Sequence, residues 1–94
     1  MASASGTATL TFGSAPGTNF VTVVVTGQAS IGVNSHVEAF LMGSTTATHN
    51  AIEHMIVPIR LSCGDIVAAT GFTIYASTDF RLTGTFTVHW VWAD

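Results

Sequence analysis

The chain has 94 residues, the size of one ordinary domain with a single hydrophobic core, so two domains are excluded. Hydrophobic residues make up 48% of the chain and charged residues only 7%, whereas about 25% of a typical soluble domain is charged. With two arginines, no lysine and a formal net charge of -3, the chain lacks the basic surface that binding to nucleic acid or to an anionic membrane requires. The apolar and aromatic composition also excludes intrinsic disorder.

The first residues carry neither the basic segment nor the apolar segment of a secretory signal, and no apolar run approaches the roughly 20 residues that span a bilayer. We therefore expect a soluble protein made in a cytoplasm, with a single domain over residues 1–94 and a flexible arm over residues 1–6. Cys63 is the only cysteine, which excludes an intrachain disulfide and a four-cysteine zinc site and favours a buried apolar role.

Apolar and polar residues alternate with a period of two over nearly the whole chain, which predicts an all-β protein. The predicted strands are residues 7–12, 20–28, 30–42, 55–62, 66–76 and 82–92, and the count becomes seven if Gly71 divides the fifth. Between them lie turn signals at 13–17 and 77–81 and a loop rich in Ser and Thr at 43–50. This spacing predicts one antiparallel β-sandwich of six or seven strands, of the jelly-roll kind, or a small barrel.

Two details of this assignment stay open. Residues 52–55 could form a short helical turn or enter the next strand directly. Pro58 lies within the predicted strand 55–62, and because proline cannot donate to a sheet ladder, this strand is expected at an edge or a bulge.

The last strand shows the clearest alternation, with Leu82 and a run of large apolar residues on one face. The other face carries Thr83, Thr85, Thr87, His89 and Val91. The apolar face predicts a core strand or a subunit contact rather than a ligand platform. The candidates for an oligomer interface are Phe86, Val88, Trp90 and Trp92. A small apolar domain with few charges to desolvate also favours assembly with copies of itself.

Histidines and carboxylates suggest a metal site only weakly. The candidate ligands are His36, His49 and His54, with Glu38 and Glu53 nearby in the sequence. Their spacing matches neither His-Glu-x-x-His nor His-x-x-Glu-His, and hydrogen-bonded surface or interface histidines are the favoured interpretation. A threefold arrangement could still gather one histidine from each of three subunits. No metal or other cofactor is expected.

The sequence offers no recognisable catalytic arrangement. No serine or cysteine stands in a nucleophile motif such as Gly-x-Ser-x-Gly, and nothing places the one plausible carboxylate pair, Glu38 and Glu53, on opposite sides of a substrate. The nine glycines are dispersed at turns rather than gathered in a phosphate-binding loop. We therefore expect a protein that is not an enzyme.

Sugar binding requires fewer specially placed groups than catalysis does, because an aromatic face with a few polar groups suffices and loops present such groups readily. The candidate residues cluster at one predicted turn and on a neighbouring strand: Tyr75, Asp79, Phe80, Arg81 and Arg60. The alternative is a solvated turn beside a core aromatic residue.

The chain after Gln28 resembles small bacteriophage virion proteins. The matching residues are Ser35-His36-Val37-Glu38-Ala39, Glu53-His54, the stretch Thr70-Gly71-Phe72-Thr73-Ile74-Tyr75-Ala76, and the closing Trp90-Val91-Trp92. The resemblance implies a compact β-sandwich that assembles about a threefold axis, located in the virion and made in the host cytoplasm.

The last third is also similar to H-type lectins, six-stranded sandwiches that form trimers or hexamers and bind sugars of the N-acetylgalactosamine type. Thr70-Gly71-Phe72 and the closing aromatic strand carry this similarity, which implies that Arg60 corresponds to the lectins' sugar-contacting arginine. The tryptophan that those lectins place after the Thr-Gly-Phe strand is absent, and Asp79 or Phe80 takes its place. Their sugar specificity therefore does not transfer.

Together these observations predict a homotrimeric virion structural protein that binds a phage capsid or tail protein, as a capsid decoration or a tail or fibre accessory. The alternative is a carbohydrate-binding module that recognises a host-surface glycan. Neither function involves nucleic acid or membrane insertion.

Overall fold

The computed structural model describes residues 2–43, 45–46 and 48–93, without the side chains at 55 and 56. It contains four strands and one short helix: β1 (Ser3–Val25), β2 (His36–Leu41), α1 (Ala51–Ile56), β3 (Arg60–Val67) and β4 (Gly71–Ala93). All strand pairs are antiparallel, so the predicted all-β class is confirmed. Within the described residues, four strands take the place of the six or seven predicted, because two of the predicted breaks lie inside long strands.

β4 is the central strand of the sheet. β1 pairs with one of its edges, from Ser3 opposite Ala93 to Val25 opposite Phe72. The other edge of β4 is shared, with β2 opposite residues 88–93 and β3 opposite residues 71–77. Between β2 and β3, this edge of β4 faces the loop and helix that connect those two strands.

The predicted breaks at 13–17 and 77–81 are irregularities within β1 and β4 rather than chain reversals. The pairing register shifts between Thr11 and Phe20 of β1, a stretch that contains the cis Ala15–Pro16 peptide bond. Glycine and charged residues occur at bulges as readily as at turns, because a bulge and a turn each leave main-chain groups open to water. The alternation alone could not distinguish the two.

The long β1–β4 ribbon folds back on itself at this bulge. A straight strand of 23 residues would measure about 76 Å, but the longest dimension of the molecule is 40 Å. Phe72 and Trp90, near opposite ends of β4, lie with ring centroids only 5.5 Å apart. The Trp92 indole N–H also donates to Gln28 Oε1, just beyond the far end of β1, over 2.9 Å. The two halves of the ribbon therefore face each other across the core.

The core lies between these two halves and is built mainly from alternate residues of β4. Its buried apolar members are Leu10, Phe12, Val25, Ile31, Phe72, Ile74, Ala76, Leu82, Phe86, Val88, Trp90 and Trp92. The four residues predicted as candidates for an oligomer interface are thus at most 6% exposed within a single chain. Because the folded ribbon already covers them, they belong to the core and offer no surface to a second copy.

The N-terminal residues differ from the sequence-based expectation. Ser3–Gly6, assigned above to a flexible arm, lie in β1, with Ala4 opposite Trp92 and Gly6 opposite Trp90. The Trp90 indole lies so close to Gly6 that a Cβ there would meet its Cζ2 atom at 2.6 Å. Packing against the two tryptophans accounts for the early start of the strand.

The connection between β2 and β3 contains the helical turn that the sequence left open. Asn50 caps α1: its side chain accepts a hydrogen bond from the Glu53 main-chain N–H, and the Glu53 carboxylate accepts one from the Asn50 N–H. The strand predicted at 55–62 begins only at Arg60, so Pro58 lies in the link between α1 and β3. The strand predicted at 30–42 is likewise shorter, His36–Leu41.

Candidate functional site

An aromatic and charged group lies on the outer face of the sheet half formed by β1, β4 and β3. Ser77 of β4 lies between Phe20 of β1 and Arg60 of β3, and Tyr75 lies opposite Ser62. Residues paired across antiparallel strands share a face, and so do residues two apart on one strand. Phe20, Tyr75 and Arg60 therefore share the face that points away from the core.

The rings of Phe20 and Tyr75 lie nearly parallel, with centroids 6.4 Å apart and an interplanar angle of 26°. Phe20 is 54% exposed, although phenylalanine is usually buried. The Tyr75 hydroxyl donates a hydrogen bond to the Asp65 carboxylate, and this bond, followed by burial and the Asp65 charge, raises the pKa of Tyr75. The hydrogen bond fixes the phenol ring within the pair.

An ion pair lies beside the two rings. Arg60 Nη2 and Asp79 Oδ1 are 2.8 Å apart. The hydrogen bond and charge of Arg60 lower the pKa of Asp79, and those of Asp79 raise the pKa of Arg60. Both side chains remain more than half exposed, so water screens the pair and its contribution to stability is small. The pair places a guanidinium and a carboxylate together on the face of the sheet that carries the two rings.

The structure thus brings together three of the five predicted ligand-binding residues, Arg60, Tyr75 and Asp79. Phe80 and Arg81 follow at the bulge of β4 and are exposed. Among the described residues, no ring contact or ion pair joins them to the rest.

Phe20 and Asp65 belong to this group and were missed in the sequence. The alternation placed Phe20 on the face of β1 opposite Val21 and Val23, but only the register of β1 against β4 brings it to Tyr75. Asp65 lies between the predicted strands 55–62 and 66–76. It adopts φ 51° within the register shift of β3, which carries its carboxylate to the tyrosine hydroxyl.

A second group of polar side chains fills the gap between β2 and β3 along β4. Thr46 Oγ1 donates to the Thr85 carbonyl over 2.8 Å, and Thr48 Oγ1 accepts from the Thr85 N–H over 2.8 Å. The Thr87 N–H donates to His54 Nε2 over 2.9 Å. These threonines and histidines take the place of a strand, and we call Thr46, Thr48, His49 and His54 the capping side chains.

His49 lies over the core residue Phe86, with ring centroids 4.0 Å apart and an interplanar angle of 17°. Its Nε2 lies 2.6 Å from the Thr83 carbonyl oxygen and its Nδ1 3.1 Å from Glu53 Oε2. Burial lowers the pKa of His49, but the hydrogen bonds to Thr83 and Glu53 and the Glu53 charge outweigh it, and the pKa is raised. Both ring nitrogens face acceptors, an arrangement that favours the imidazolium.

His54 is 1% exposed and belongs to the buried side of α1. Its Nδ1 lies 2.9 Å from the Asn50 carbonyl oxygen, and its Nε2 accepts from Thr87. Because Nε2 accepts the hydrogen bond from the Thr87 N–H, the hydrogen-bonding pattern assigns the ring proton to Nδ1. Both nitrogens are therefore occupied by main-chain partners.

The metal-ligand candidates do not converge. His49 and His54 use their ring nitrogens in contacts within the chain, and the exposed His36 lies opposite Ala93. Ala93 is six residues beyond the Thr87 partner of His54, roughly 20 Å along an extended strand. Within the described residues, no three side chains of the His, Cys, Asp and Glu types are grouped to hold a metal.

The single cysteine is half-buried and packs against the core. Burial, with a smaller contribution from the Glu38 charge, raises the pKa of the Cys63 thiol. A raised pKa disfavours the thiolate, which is the reactive form. Cys63 therefore has the environment of a packing residue.

Comparison with known proteins gives no match: no protein family, curated protein or solved structure shows significant similarity to the chain. In the part of the chain that the structure describes, no helix has the length and hydropathy needed to cross a membrane.

Proposed function

We propose that this chain is a structural protein of a bacteriophage virion, a homotrimeric β-sandwich that binds another virion component on the capsid or tail. The observation that carries this proposal is the set of large apolar side chains left at the surface of a chain with few charges. These are Phe20, Val24, Val33, Phe40, Met42, Ile52, Val67 and Phe80. Apolar side chains gain free energy when they leave water, so these residues favour binding to a partner that covers them.

The folded ribbon supports the sandwich part of the proposal, because its two halves face each other across one core. The resemblance of Ser35–Ala39, Glu53-His54 and the closing aromatic strand supports the virion part. With the tryptophan strand buried inside the chain, the surfaces left for copies and for the virion are the exposed apolar residues and the sheet edges.

The trimer is tested by native mass spectrometry and sedimentation equilibrium of the full chain. We expect a mass three times that of the chain, or a multiple of it, at micromolar concentration. A stable monomer would contradict assembly. The virion assignment is tested separately by proteomics of purified particles of the phage that encodes the chain, where its absence would contradict a structural role.

A second candidate function, carbohydrate binding, is favoured by the group around Tyr75. Sugar rings pack on aromatic faces while fixed polar groups bond their hydroxyls. Phe20 and Tyr75 supply the first, and the Arg60–Asp79 ion pair supplies the second. This site would recognise a neutral or acidic glycan on the host surface.

A glycan array with matched variants tests this candidate. Phe20→Ala and Arg60→Ala alter exposed side chains, so the fold should persist while glycan signal falls at least tenfold. Phe40→Ala is the control, because Phe40 is also an exposed aromatic residue but stacks on His89, outside this group. No wild-type signal on host polysaccharide, or equal loss in all three variants, would contradict the site.

A further inference from the structure

The outer edge of β1 is an unpaired strand edge with unusual composition. Among the described strands, β1 pairs with β4 alone. None of its 23 residues is charged. Proteins normally protect an exposed edge with charged residues, proline or a bulge, because its free N–H and C=O groups bind other strands. In β1 the proline and the register shifts lie between residues 11 and 20, which leaves residues 3–11 without any of these devices.

The capping side chains reveal which main-chain groups face this edge. The N–H groups of Thr85 and Thr87 bind Thr48 and His54, so they point away from β1. In an antiparallel ladder, two residues that lie opposite each other orient their main-chain groups alike. If the N–H and C=O of one point away from the partner strand, those of the other point away as well. The partners of Thr85 and Thr87 are Thr11 and Thr9, whose N–H and C=O groups therefore point to the free edge.

Alternation extends this orientation to every second residue. The residues with outward main-chain groups are Ser3, Ser5, Thr7, Thr9 and Thr11. All five carry a hydroxyl and all five are exposed. Between them lie the small, half-buried Ala4, Gly6 and Ala8 and the buried Leu10, all on the face that packs on the core.

We propose that this edge pairs with the same edge of a second copy, antiparallel about a twofold axis. The register that uses all five residues places Thr7 opposite Thr7 of the second copy, Ser5 opposite Thr9 and Ser3 opposite Thr11. Each such pair exchanges N–H···O bonds and brings two hydroxyl side chains together, a pairing that stabilises sheets. The strand is uncharged, so its copy meets no like charge.

The outer edge of β1 suits a second copy better than the other free edges of the sheet do. The outer edges of β2 and β3 are shorter and include Glu38, Arg60 and Asp65. The inference deepens the proposed function. It rests on that function in one respect, namely that the chain associates with copies of itself. A twofold contact between trimers gives a hexamer, and a twofold contact alone gives a dimer.

Two substitutions at Thr7 test the edge in the full-length protein. Thr7→Lys would set two ammonium groups opposite each other across the axis. Thr7→Pro would remove the central N–H, which points away from β4, so the β1–β4 ladder keeps its bonds. The control, Thr45→Lys, adds the same charge in the loop after β2, where Thr45 is exposed. Circular dichroism and thermal melting verify that each variant folds.

Native mass spectrometry and sedimentation velocity at micromolar concentration give the readout. We expect an even-numbered wild-type assembly that both Thr7 variants halve, from hexamer to trimer or from dimer to monomer, and that Thr45→Lys leaves intact. A dimer that the Thr7 variants split supports the edge while overturning the trimer. A trimer without hexamer overturns the edge and leaves the trimer standing, and a monomer overturns both. An even-numbered assembly that survives both Thr7 variants overturns the edge.

Discussion

The main-chain groups along both edges of β4 need hydrogen-bond partners, and the two edges obtain them by different means. On one edge, β1 supplies main-chain partners from Ala93 to Phe72 with an interruption only at the bulge. On the other, β2 and β3 cover the ends, and the capping side chains bind the main chain of Thr83, Thr85 and Thr87 between them.

The difference lies in how much each edge depends on side-chain identity. A strand partner is a main chain, which almost any residue provides. A capping side chain must carry the right donor or acceptor at the right length, so one substitution can remove the partner of a main-chain group. Point substitutions on the capped edge should therefore cost more than comparable ones on exposed parts of the strands.

The largest effect is expected for His54→Ala, because His54 is buried and holds the Thr87 N–H. The ring centroids of His54 and Phe86 are 5.0 Å apart, so the substitution leaves a cavity beside Phe86 as well as an unpaired main-chain donor. We expect the free energy of unfolding to fall by about 4 kcal/mol. For a domain of this size, that lowers the Tm by about 20 °C or more. Chemical denaturation and calorimetry measure both quantities.

Two further variants locate the cause of that loss. His54→Phe retains a ring of similar volume without the Nε2 acceptor, and should cost about 1–3 kcal/mol from the unpaired N–H. His36→Ala, at an exposed histidine of β2, should change stability by less than about 0.5 kcal/mol. If His54→Ala were no more costly than His36→Ala, the capping role of His54 would be wrong.

The sequence predicted the strand-paired parts of the molecule much better than the capped part. Alternation identifies the core face of β4 because the buried residues from Leu82 to Trp92 are nearly all large and apolar. It does not identify the caps, because threonine and histidine in a polar loop look the same whether they are solvated or bonded. The main-chain partner of His49 lies 34 residues away, at Thr83.

Prediction of the candidate site was limited in the same way, because local patterns do not show which distant residues come into contact. Tyr75 and Asp79 were singled out by residue type and by proximity to one predicted turn, and Arg60 as a charged residue of a neighbouring strand. Phe20 was not, because its contact with Tyr75 depends on the β1–β4 register across a bulge, which local patterns do not encode. The capping box of Asn50 and Glu53 is a local signal, and it would have resolved the ambiguity at residues 52–55 in favour of a helical turn.

An intermediate effect is expected for Gly84→Ala, and Gly13 is its matched control. The two glycines lie opposite each other with φ of 81° and 86°. A Cβ at Gly84 would lie 2.5 Å from Thr48 Oγ1, whereas a Cβ at Gly13 would have no neighbour within 4 Å. Gly13→Ala should therefore cost only the left-handed backbone strain, about 1–2 kcal/mol, and Gly84→Ala about 1–2 kcal/mol more for the displaced cap.

Urea denaturation of the two glycine variants provides the comparison. Equal losses would show that Thr48 contributes little on this edge. Thr48→Val, which removes the hydroxyl with little change of volume, should reproduce the additional loss seen in Gly84→Ala. It should do so without the backbone strain.

The smallest effect expected is the pH dependence from His49 and Glu53. The pKa of His49 is raised by its hydrogen bonds to Thr83 and Glu53 despite burial, and that of Glu53 is lowered by the Asn50 N–H and by His49. A raised histidine pKa gives stability that is full below the unfolded value of about 6.5 and is lost as pH rises through the folded value. A lowered glutamate pKa gives stability that is present above about 4.3 and is lost as pH falls through the folded value.

The pair should therefore contribute most between these two limits, and His49→Gln should flatten the fall in Tm of the wild type from pH 6 to 8. The difference should be a few degrees at most, since Glu53 is open to solvent and its charge is screened. The control is His36→Gln, which changes an exposed histidine of β2 outside the capping side chains. If the His49→Gln profile stayed parallel to that of the wild type, the charged pair would contribute nothing to the capped edge, and His49 would act there only through its stacking on Phe86 and its bond to Thr83.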